Sequence, residues 1–214
     1  MTKIMNALIE PHYLPSLEFF CAILSSESIV LEKNETFLKQ TYRNRCYINT
    51  AQGIKFLTVP LEGRHGKILF KDVHVERGSR WRNNHWRTIE SAYRKAPYYD
   101  YYERELYEII FRGHERLFEL NHDLLSFCLR SIGMKKNISA SVAYDVEVEK
   151  DVFDLRSQIT DKKPFASRTI YRPSSYYQVF GNEFVPNLSL IDLLFCEGPE
   201  SLAKLKSSSI SLNK

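Results

Sequence analysis

The sequence lacks the features that would mark a membrane or secreted protein. No window of its 214 residues approaches the ~20 consecutive apolar residues of a membrane-spanning helix. The first nine residues lack the charged and apolar regions of a signal peptide. These absences argue against secretion and membrane insertion, so we expect a cytoplasmic protein. With 43% apolar, 13% aromatic and 26% charged residues, the composition is that of a globular chain rather than a disordered one.

Cysteine is scarce, and its spacing excludes two common roles. The four cysteines lie far apart and none forms a C-x-x-C pair, which argues against a structural zinc site or a thioredoxin-like redox motif. Cys128 and Cys196 each fall inside an apolar helical pattern, where a thiol behaves as a small hydrophobic group. We expect four reduced thiols and no catalytic cysteine. The four are Cys21, Cys46, Cys128 and Cys196.

Familiar catalytic motifs are also absent. The chain has no H-E-x-x-H, no G-x-S-x-G and no P-loop, which argues against a zinc protease, an α/β-hydrolase and a Walker-type ATPase. The loop after the first predicted strand has no glycine, so the Rossmann dinucleotide fingerprint is missing too. The residues therefore predict no metal and no particular cofactor, and they leave the oligomeric state open.

Positive charge is present in excess in one stretch. Residues 39–95 hold thirteen Lys/Arg against four Asp/Glu, a net charge of +9, whereas the whole chain carries +4 and the remainder therefore carries −5. Charge of one sign concentrated on one surface attracts ligands of the other sign. An anionic partner is the simplest expectation.

The pattern of apolar residues predicts an α/β fold. A strand at 6–10, a helix at 17–24 and a strand at 28–32 form an N-terminal β-α-β unit, which we expect to feed a mixed sheet. Two further strands, 45–49 and 54–59, flank Gly53 as a β-hairpin at an edge or flap. Residues 78–133 predict a helical block, with helices at 79–95, 97–111 and 114–132. A closing helix follows in the C-terminal part.

Some shorter segments have less regular sequence patterns but still predict a local structure. Residues 73–75 predict a short strand, residues 138–144 a strand, and residues 145–154 an acidic peripheral segment. The glycine-bearing loop at 62–67 is interpreted either as mobile or as a solvated connection. Ser189 and Asp192 have the spacing of a capping box, and starting a helix is a sufficient reason for both residues to be there. One α/β domain over residues 1–204 with a polar, fraying tail at 205–214 is therefore expected.

The helix predicted at 79–95 has an unusual face. On a helical wheel Arg82, Ile89 and Tyr93 share one stripe with His85 at its edge, and Arg87 lies on the opposite side. An arginine that points into apolar surroundings must find an anion or a carbonyl partner. Arg82 therefore either binds an anionic ligand or makes an internal tie to a glutamate or a backbone carbonyl.

Candidate site residues follow from these patterns. His12 and His85 are the candidate general acid/base groups, because imidazole titrates near neutral pH; the alternatives are a loop histidine bonded to backbone and a core-edge histidine. The candidate clamps for phosphate or carboxylate are Lys39, Arg43, Arg45, Arg82 and Arg87. Neutral polar side chains that would hold a sugar or an amide of the ligand in place are Tyr13, Gln40, Tyr42, Asn44, Gln178 and Asn187.

Several long sequence segments resemble motifs of the WbqC-like family of bacterial proteins. They are Pro-His-Tyr-Leu-Pro at 11–15, Lys-Gln-Thr-Tyr-Arg-Asn-Arg at 39–45, the segment from Trp81 to Pro97, and Phe-Val-Pro-Asn-Leu-Ser-Leu-Ile-Asp at 184–192. The opening motif departs from the commoner pattern, because Glu10, Ser16 and Glu18 stand where Gln, Trp and Gly are usual. The resemblance implies a role in O-antigen or other surface polysaccharide synthesis and a transferase activity, including glycine transfer to a sugar.

Two classes of function fit the residues. The first is a cytoplasmic transferase that holds a nucleotide-sugar or an acyl phosphate through its arginines and works by positioning and charge stabilisation. The second is a nucleic-acid-binding or protein-interaction module without catalysis, since basic residues interleaved with Trp81, Trp86 and tyrosines also suit stacking and phosphate contact. A net charge of only +4 makes nucleic acid the weaker expectation.

Overall fold

A computed structural model describes residues 6–63 and 66–210. Its central element is a four-stranded parallel sheet of β1 (Asn6–Ile9), β2 (Ser28–Leu31), β5 (Asn137–Ala140) and β6 (Val152–Asp154), in the order β5-β2-β1-β6. A separate two-stranded antiparallel sheet contains β3 (Arg45–Thr50) and β4 (Gly53–Thr58). The α/β class predicted from the sequence is confirmed, with the parallel and antiparallel strands in two sheets.

The N-terminal β-α-β unit forms as the sequence indicates. Helix α1 (Leu17–Ile23) connects β1 to β2, and all of its residues are buried, including Glu18. Strands β1 and β2 pair in parallel with Ala7 opposite Ile29. Because parallel strands are covered on both faces, they consist of nearly continuous apolar residues, as 7–9 and 29–31 do.

Strand β6 corrects the interpretation of residues 145–154 as wholly peripheral. Residues 152–154 pair with β1 in parallel register, with Phe153 opposite Ala7. Only Val152 and Phe153 are apolar and acidic residues flank them, so the segment is too short for a recognisable strand pattern. Its position at the edge of the sheet explains this shortness, since edge strands are commonly short.

The helical block packs as three successive helices, α2 (Arg80–Tyr93), α3 (Tyr99–Phe111) and α4 (Leu117–Ser131). In α2 the predicted apolar stripe is buried, including Arg82 and His85, and Arg87 is exposed on the other side. Residues 73–75 do not form the predicted strand. His74 bridges Arg116 and Val75 bridges Leu61, so two isolated bridges to different segments replace a ladder.

The C-terminal part contains two helices, α5 (Leu190–Glu197) and α6 (Ser201–Ser208). The predicted capping box is wrong, because Ser189 Oγ donates to the Leu14 carbonyl at 2.8 Å and accepts no backbone N–H from α5. Helix α6 extends into the segment predicted as a polar tail, and Leu205 on it is buried. The last four residues, and Arg64 and His65 of the loop predicted at 62–67, lie outside the described residues.

A buried carboxylate holds α5 in place. Asp192 is fully buried and accepts hydrogen bonds from the Tyr93 hydroxyl at 2.9 Å, the Tyr176 hydroxyl at 2.6 Å and Gln178 Nε2 at 2.9 Å. Burial raises the pKa of Asp192, and these three donors oppose that rise. The cluster joins α2, α5 and the irregular segment before α5.

All four cysteines are free and buried, which confirms the burial predicted for Cys128 and Cys196. Burial raises the pKa of the Cys21 thiol to about 12 and raises those of the other three as well. Thiolates are the reactive form of cysteine, so none of the four is poised for nucleophilic attack. Among the described residues, no helix has the length and apolar character needed to cross a bilayer.

Replacing Asp192 tests the role of this cluster. Asp192→Ala leaves two tyrosine hydroxyls and one N–H of the Gln178 amide without their acceptor, so we expect the free energy of unfolding to fall by roughly 2–4 kcal/mol. Chemical denaturation with urea measures this change. Glu183→Ala, which removes an exposed carboxylate from the segment before α5, should change it by less than about 0.5 kcal/mol. Equal stability of the two variants would contradict the assignment.

Candidate functional site

The strand order places a switch point between β1 and β6. The chain runs from β1 outward to β2 and β5 and then returns to the other side of β1 as β6. In open α/β sheets, ligands bind in the crevice outside the carboxyl ends of the strands where the order reverses. Here the residues that follow those two strand ends are Glu10 to His12 and Leu155 to Ser157. Buried charged side chains converge on this edge.

Glu10 is the first of these groups and lies directly after β1. It is fully buried, and its Oε2 accepts the Ser157 backbone N–H at 2.9 Å, which ties the two strand ends together. Its Oε1 lies 3.3 Å from Arg43 Nη2 and 3.6 Å from His12 Nε2, without hydrogen-bond geometry to either. Burial alone would raise the pKa of Glu10, but His12 and the charge on Arg43 outweigh burial and lower it. Glu10 is therefore ionised.

Arg43 is held by a second buried carboxylate. Its Nε and Nη2 donate to the two oxygens of Glu35 at 2.6 and 2.9 Å, and Nη2 also reaches Ser157 Oγ at 3.1 Å. Paired bonds of this kind fix the plane of the guanidinium. Burial opposes the charge on Arg43, yet the contacts with Glu35 and Glu10 raise its pKa overall. Arg43 is thus a fixed cation with most of its hydrogen-bonding capacity used internally.

His12 lies beneath Arg43 and is wholly buried. Its ring stacks on Tyr42 with centroids 5.3 Å apart and contacts Phe19 at 4.9 Å. Burial lowers the pKa of His12 more than the Glu10 carboxylate raises it, so the ring is neutral at pH 7. Neither ring nitrogen forms a hydrogen bond with the described residues. Buried polar atoms without partners are rare in folded proteins, and this pair marks His12 as more than a packing residue.

A second arginine is fixed in the same way. Arg168 donates from Nε and Nη2 to the two oxygens of Glu18 at 2.6 and 2.7 Å, and its Nη1 donates to the Lys163 carbonyl at 3.2 Å. Asn187 bonds Glu18 twice, accepting its backbone N–H at 2.9 Å and donating to Oε2 at 3.2 Å. The hydrogen bond to Glu18 raises the pKa of Arg168. Helix α1, the loop after β6 and the segment before α5 are joined here.

Glu32, directly after β2, anchors a third arginine. Its Oε1 accepts Ser141 Oγ and the Asn34 backbone N–H, each at 2.7 Å, and its Oε2 lies 3.4 Å from Arg156 Nη1. Arg156 also forms a paired contact with Asp154, at 2.9 and 2.7 Å. All four parallel strands therefore send a polar residue into one connected layer at their carboxyl ends.

A cleft of about 520 Å³ opens above this layer. Four cations contribute to its lining, two of which, Lys162 and Lys163, form no ion pair with any described residue. The lining contains no carboxylate within the described residues, since the nearby glutamates face the arginines behind it. Its full lining is Leu38, Thr41, Arg43, Ser157, Gln158, Thr160, Lys162, Lys163, Ser167 and Arg168. The cleft is therefore electropositive.

The backbone around the cleft is strained. Among the described residues other than glycine, positive φ angles occur at Leu14 (43°), Gln40 (55°), Ser157 (56°) and Asn187 (56°). Leu14 lies in the loop that carries His12, and Gln40 lies in the loop that carries Arg43. Ser157 donates its N–H to Glu10, and Asn187 bonds Glu18. Such conformations cost on the order of 1–3 kcal/mol each and tend to cluster at functional sites. Leu14, with its branched side chain, is the least expected of the four.

His85 and Arg82 lie apart from this layer and have internal partners. The Tyr13 hydroxyl donates to His85 Nδ1 at 2.9 Å, and His85 Nε2 donates to the Thr58 carbonyl at 3.1 Å. Arg82 Nη1 donates to the carbonyls of Arg77 and Gly78, which is the internal tie that the sequence left open. The Tyr13 N–H donates to the Tyr42 carbonyl at 2.9 Å, so His85 supports the loop that carries His12.

The other predicted residues are dispersed. Lys39, Gln40 and Arg87 are exposed, Arg87 on the outer side of α2. Asn44 Nδ2 donates to the Val59 carbonyl, and Arg45 lies over the Phe56 ring and 3.9 Å from Asp161. Of the predicted set, the structure brings His12, Tyr42 and Arg43 together. Asn187 donates to the neighbouring Glu18, and Gln178 donates to Asp192 in the separate cluster that holds α5.

Sequence reasoning missed the buried acids and two of the arginines. Glu10 and Glu32 are the last residues of the predicted strands 6–10 and 28–32, a position that points to the carboxyl edge of a sheet. Glu10 and Glu18 are also two of the positions where the chain departs from the commoner opening motif of the family it resembles. Arg156 and Arg168 lie in loops with no periodic pattern, and nothing local in the sequence identifies them.

One family model covers most of the chain. The model of the WbqC-like protein family matches residues 10–168 and 166–204. The chain is 26% identical over 227 residues to the uncharacterized protein Rv1507c of Mycobacterium tuberculosis, covering 91% of this chain and 94% of that protein. No solved structure matches the chain.

The neutral state of His85 predicts a pH dependence of stability. Burial, assisted by Lys55 and opposed by the bond to the Thr58 carbonyl, lowers the pKa of His85 from 6.5 to about 4. The unfolded chain therefore takes up a proton as the pH falls from 6.5 to 4 while the folded chain does not. Stability is lost across this window, by about 2 kcal/mol between pH 7 and pH 5 from this residue.

The variant His85→Gln removes the titrating group while keeping a donor and an acceptor. We expect its free energy of unfolding to fall less than that of the unchanged protein between pH 7 and pH 5, by about 2 kcal/mol. Urea unfolding at a series of pH values measures the difference. His122→Gln, on α4, controls for the loss of one histidine. An unchanged slope in His85→Gln would show that His85 is not held neutral.

Proposed function

This chain belongs to the WbqC-like protein family, and from that premise we propose that it is a cytoplasmic transferase acting on a phosphorylated or nucleotide-linked sugar. The reaction we favour is transfer of an acyl group, such as an aminoacyl group like glycine, during surface polysaccharide synthesis. The observation that carries the proposal is the cationic cleft at the switch point between β1 and β6.

The charges at the cleft divide into two kinds. Arg43 and Arg168 are each paired with a buried glutamate, so their positive charge is largely neutralised from behind. Lys162 and Lys163 are exposed and lack such a partner among the described residues, which leaves their charge available. Lysine is a flexible point charge suited to phosphate. We therefore assign anion binding to the two lysines and the shape of the cleft to the two arginines.

For proton transfer we propose His12 rather than His85. Both nitrogens of His85 are occupied by the Tyr13 hydroxyl and the Thr58 carbonyl, whereas neither nitrogen of His12 has a hydrogen-bond partner among the described residues. The Glu10 carboxylate lies 3.6 Å from His12 Nε2, so it favours the tautomer with the proton on that nitrogen. The remaining nitrogen then carries the lone pair that accepts a proton, and because His12 is buried and does not line the cleft, the proton must reach it through an intervening group. Positioning and charge stabilisation supply the rest of the catalysis.

Removing the two lysines tests the anion site. The double variant Lys162→Ala/Lys163→Ala should bind phosphate-bearing sugars at least tenfold more weakly, because each lysine contributes a charge-assisted contact. Thermal-shift titration with hexose 1-phosphate and a uridine diphosphate hexose measures the loss.

The matched control is Arg94→Ala/Lys95→Ala, which removes the same charge from the exposed end of α2. It should bind as the unchanged protein does. Stabilisation by none of these ligands at millimolar concentration, or equal weakening in the two double variants, would overturn the proposed site.

A nucleic-acid-binding function is the second candidate, and the exposed face of α2 favours it. Arg87, Arg94 and Lys95 line a cleft there together with Phe180, and Lys55 of the neighbouring hairpin shares a second cleft with Arg87. Basic and aromatic groups on one surface suit single-stranded nucleic acid. Gel-shift assays at low salt would then show binding that Arg94→Ala/Lys95→Ala weakens and Lys162→Ala/Lys163→Ala leaves intact, the reverse of the pattern above.

A further inference from the structure

We infer that the ligand of the cleft is a sugar monophosphate without a nucleobase. This inference rests on the proposed function and chooses between the two substrate classes that it allows. It follows from three properties of the lining: its free hydroxyl groups, its lack of aromatic rings, and its lack of carboxylates among the described residues.

The lining offers two hydroxyl groups that donate to no described residue. Ser157 Oγ accepts from Arg43 Nη2, and Thr160 Oγ1 accepts from the Lys162 backbone N–H, so each keeps its own O–H free to donate. The hydroxyls of Thr41 and Ser167, by contrast, donate to the carbonyls of Leu38 and Pro164. Two free donors beside two lysines match a ligand that carries hydroxyl oxygens next to a phosphate.

No described residue of the lining has an aromatic ring. Proteins that hold a nucleobase usually stack it on an aromatic side chain or on the plane of an arginine. The side chains of Arg43 and Arg168 are only 3% and 12% exposed, so neither guanidinium offers an open face, and the apolar part of the lining is a single leucine, Leu38, which is 44% exposed. A sugar ring can pack its C–H face on one leucine, whereas a base gains no stacking partner.

The lining also has no carboxylate among the described residues. A diphosphate commonly binds together with Mg²⁺, which proteins hold through one or two carboxylates beside the phosphates. Here Glu10, Glu18 and Glu35 all point to guanidinium groups behind the cleft. Ammonium groups therefore receive the phosphate directly, which suits a single phosphate group.

Isothermal titration with a panel of ligands tests the inference. The panel is hexose 1-phosphate, a uridine diphosphate hexose, uridine diphosphate, acetyl phosphate and inorganic phosphate, each with Mg²⁺ and with a chelator. We expect hexose 1-phosphate to bind at least tenfold more tightly than inorganic or acetyl phosphate. The uridine diphosphate hexose should bind no more tightly than hexose 1-phosphate, and the chelator should leave the affinity for hexose 1-phosphate unchanged.

Variants of the hydroxyl groups locate the effect. Thr160→Val and Ser157→Ala should each weaken hexose 1-phosphate binding severalfold and leave inorganic phosphate binding unchanged. The matched control is Ser207→Ala, because the Ser207 hydroxyl also donates to a backbone carbonyl, that of Lys204, but lies on α6 outside the cleft lining. It should bind both ligands as the unchanged protein does.

The possible failures are distinguishable. If no ligand of the panel binds, or if Lys162→Ala/Lys163→Ala binds all of them normally, the proposed anion site itself is wrong. If the anion site holds but the uridine group or Mg²⁺ raises affinity more than tenfold, a nucleotide-linked sugar is the ligand and this inference is overturned. Equal binding of acetyl phosphate and hexose 1-phosphate, or no effect of either hydroxyl variant, would overturn it as well.

Discussion

The constraint on which this structure depends is the burial of four glutamates at one edge of a small parallel sheet. Glu10, Glu18, Glu32 and Glu35 are all almost fully inaccessible to water. A buried carboxylate is strongly unfavourable unless a cation and hydrogen-bond donors reach it. Three arginines, from a loop before β3 and from two loops after β6, supply those cations. Each of these loops is fixed in position because its arginine must reach a buried glutamate.

This requirement changes what the basic character of the chain means. Some of its arginines neutralise internal acids, and Arg156 and Arg168 lie outside the basic stretch at 39–95. That stretch itself divides between Arg43, buried in the acidic layer, Arg82, tied to backbone carbonyls, and the exposed cations of α2. A net charge counted along the sequence cannot separate these roles. What distinguishes them is burial and the partner that burial requires: Glu35 for Arg43, backbone carbonyls for Arg82 and water for the exposed Arg87.

The elements that could be predicted are those whose pattern is local. The β-α-β unit, the hairpin around Gly53 and the buried stripe of α2 each follow from periodicity and turn chemistry. Strand β6 could not be found, because three residues carry no period and its position depends on pairing with β1 across more than 140 residues. The same holds for the site. His12 and Arg43 lie in recognisable sequence motifs and could be predicted, whereas Lys162, Arg168 and Glu35 are identified as site residues only by their positions in the tertiary structure.

The tie between Glu18 and its partners has a consequence for how the chain acquires its fold during synthesis. Arg168 and Asn187 lie 150 and 169 residues beyond Glu18, and Ser157 lies 147 residues beyond Glu10. While a ribosome is still making the middle of the chain, Glu18 has no cation and Glu10 lacks the Ser157 N–H, so the first β-α-β unit would bury Glu18 unpaired. Long-range contacts of this kind also form slowly. The N-terminal unit therefore becomes stable only after its C-terminal partners emerge, which makes folding post-translational and exposes the early strands to chaperones until then.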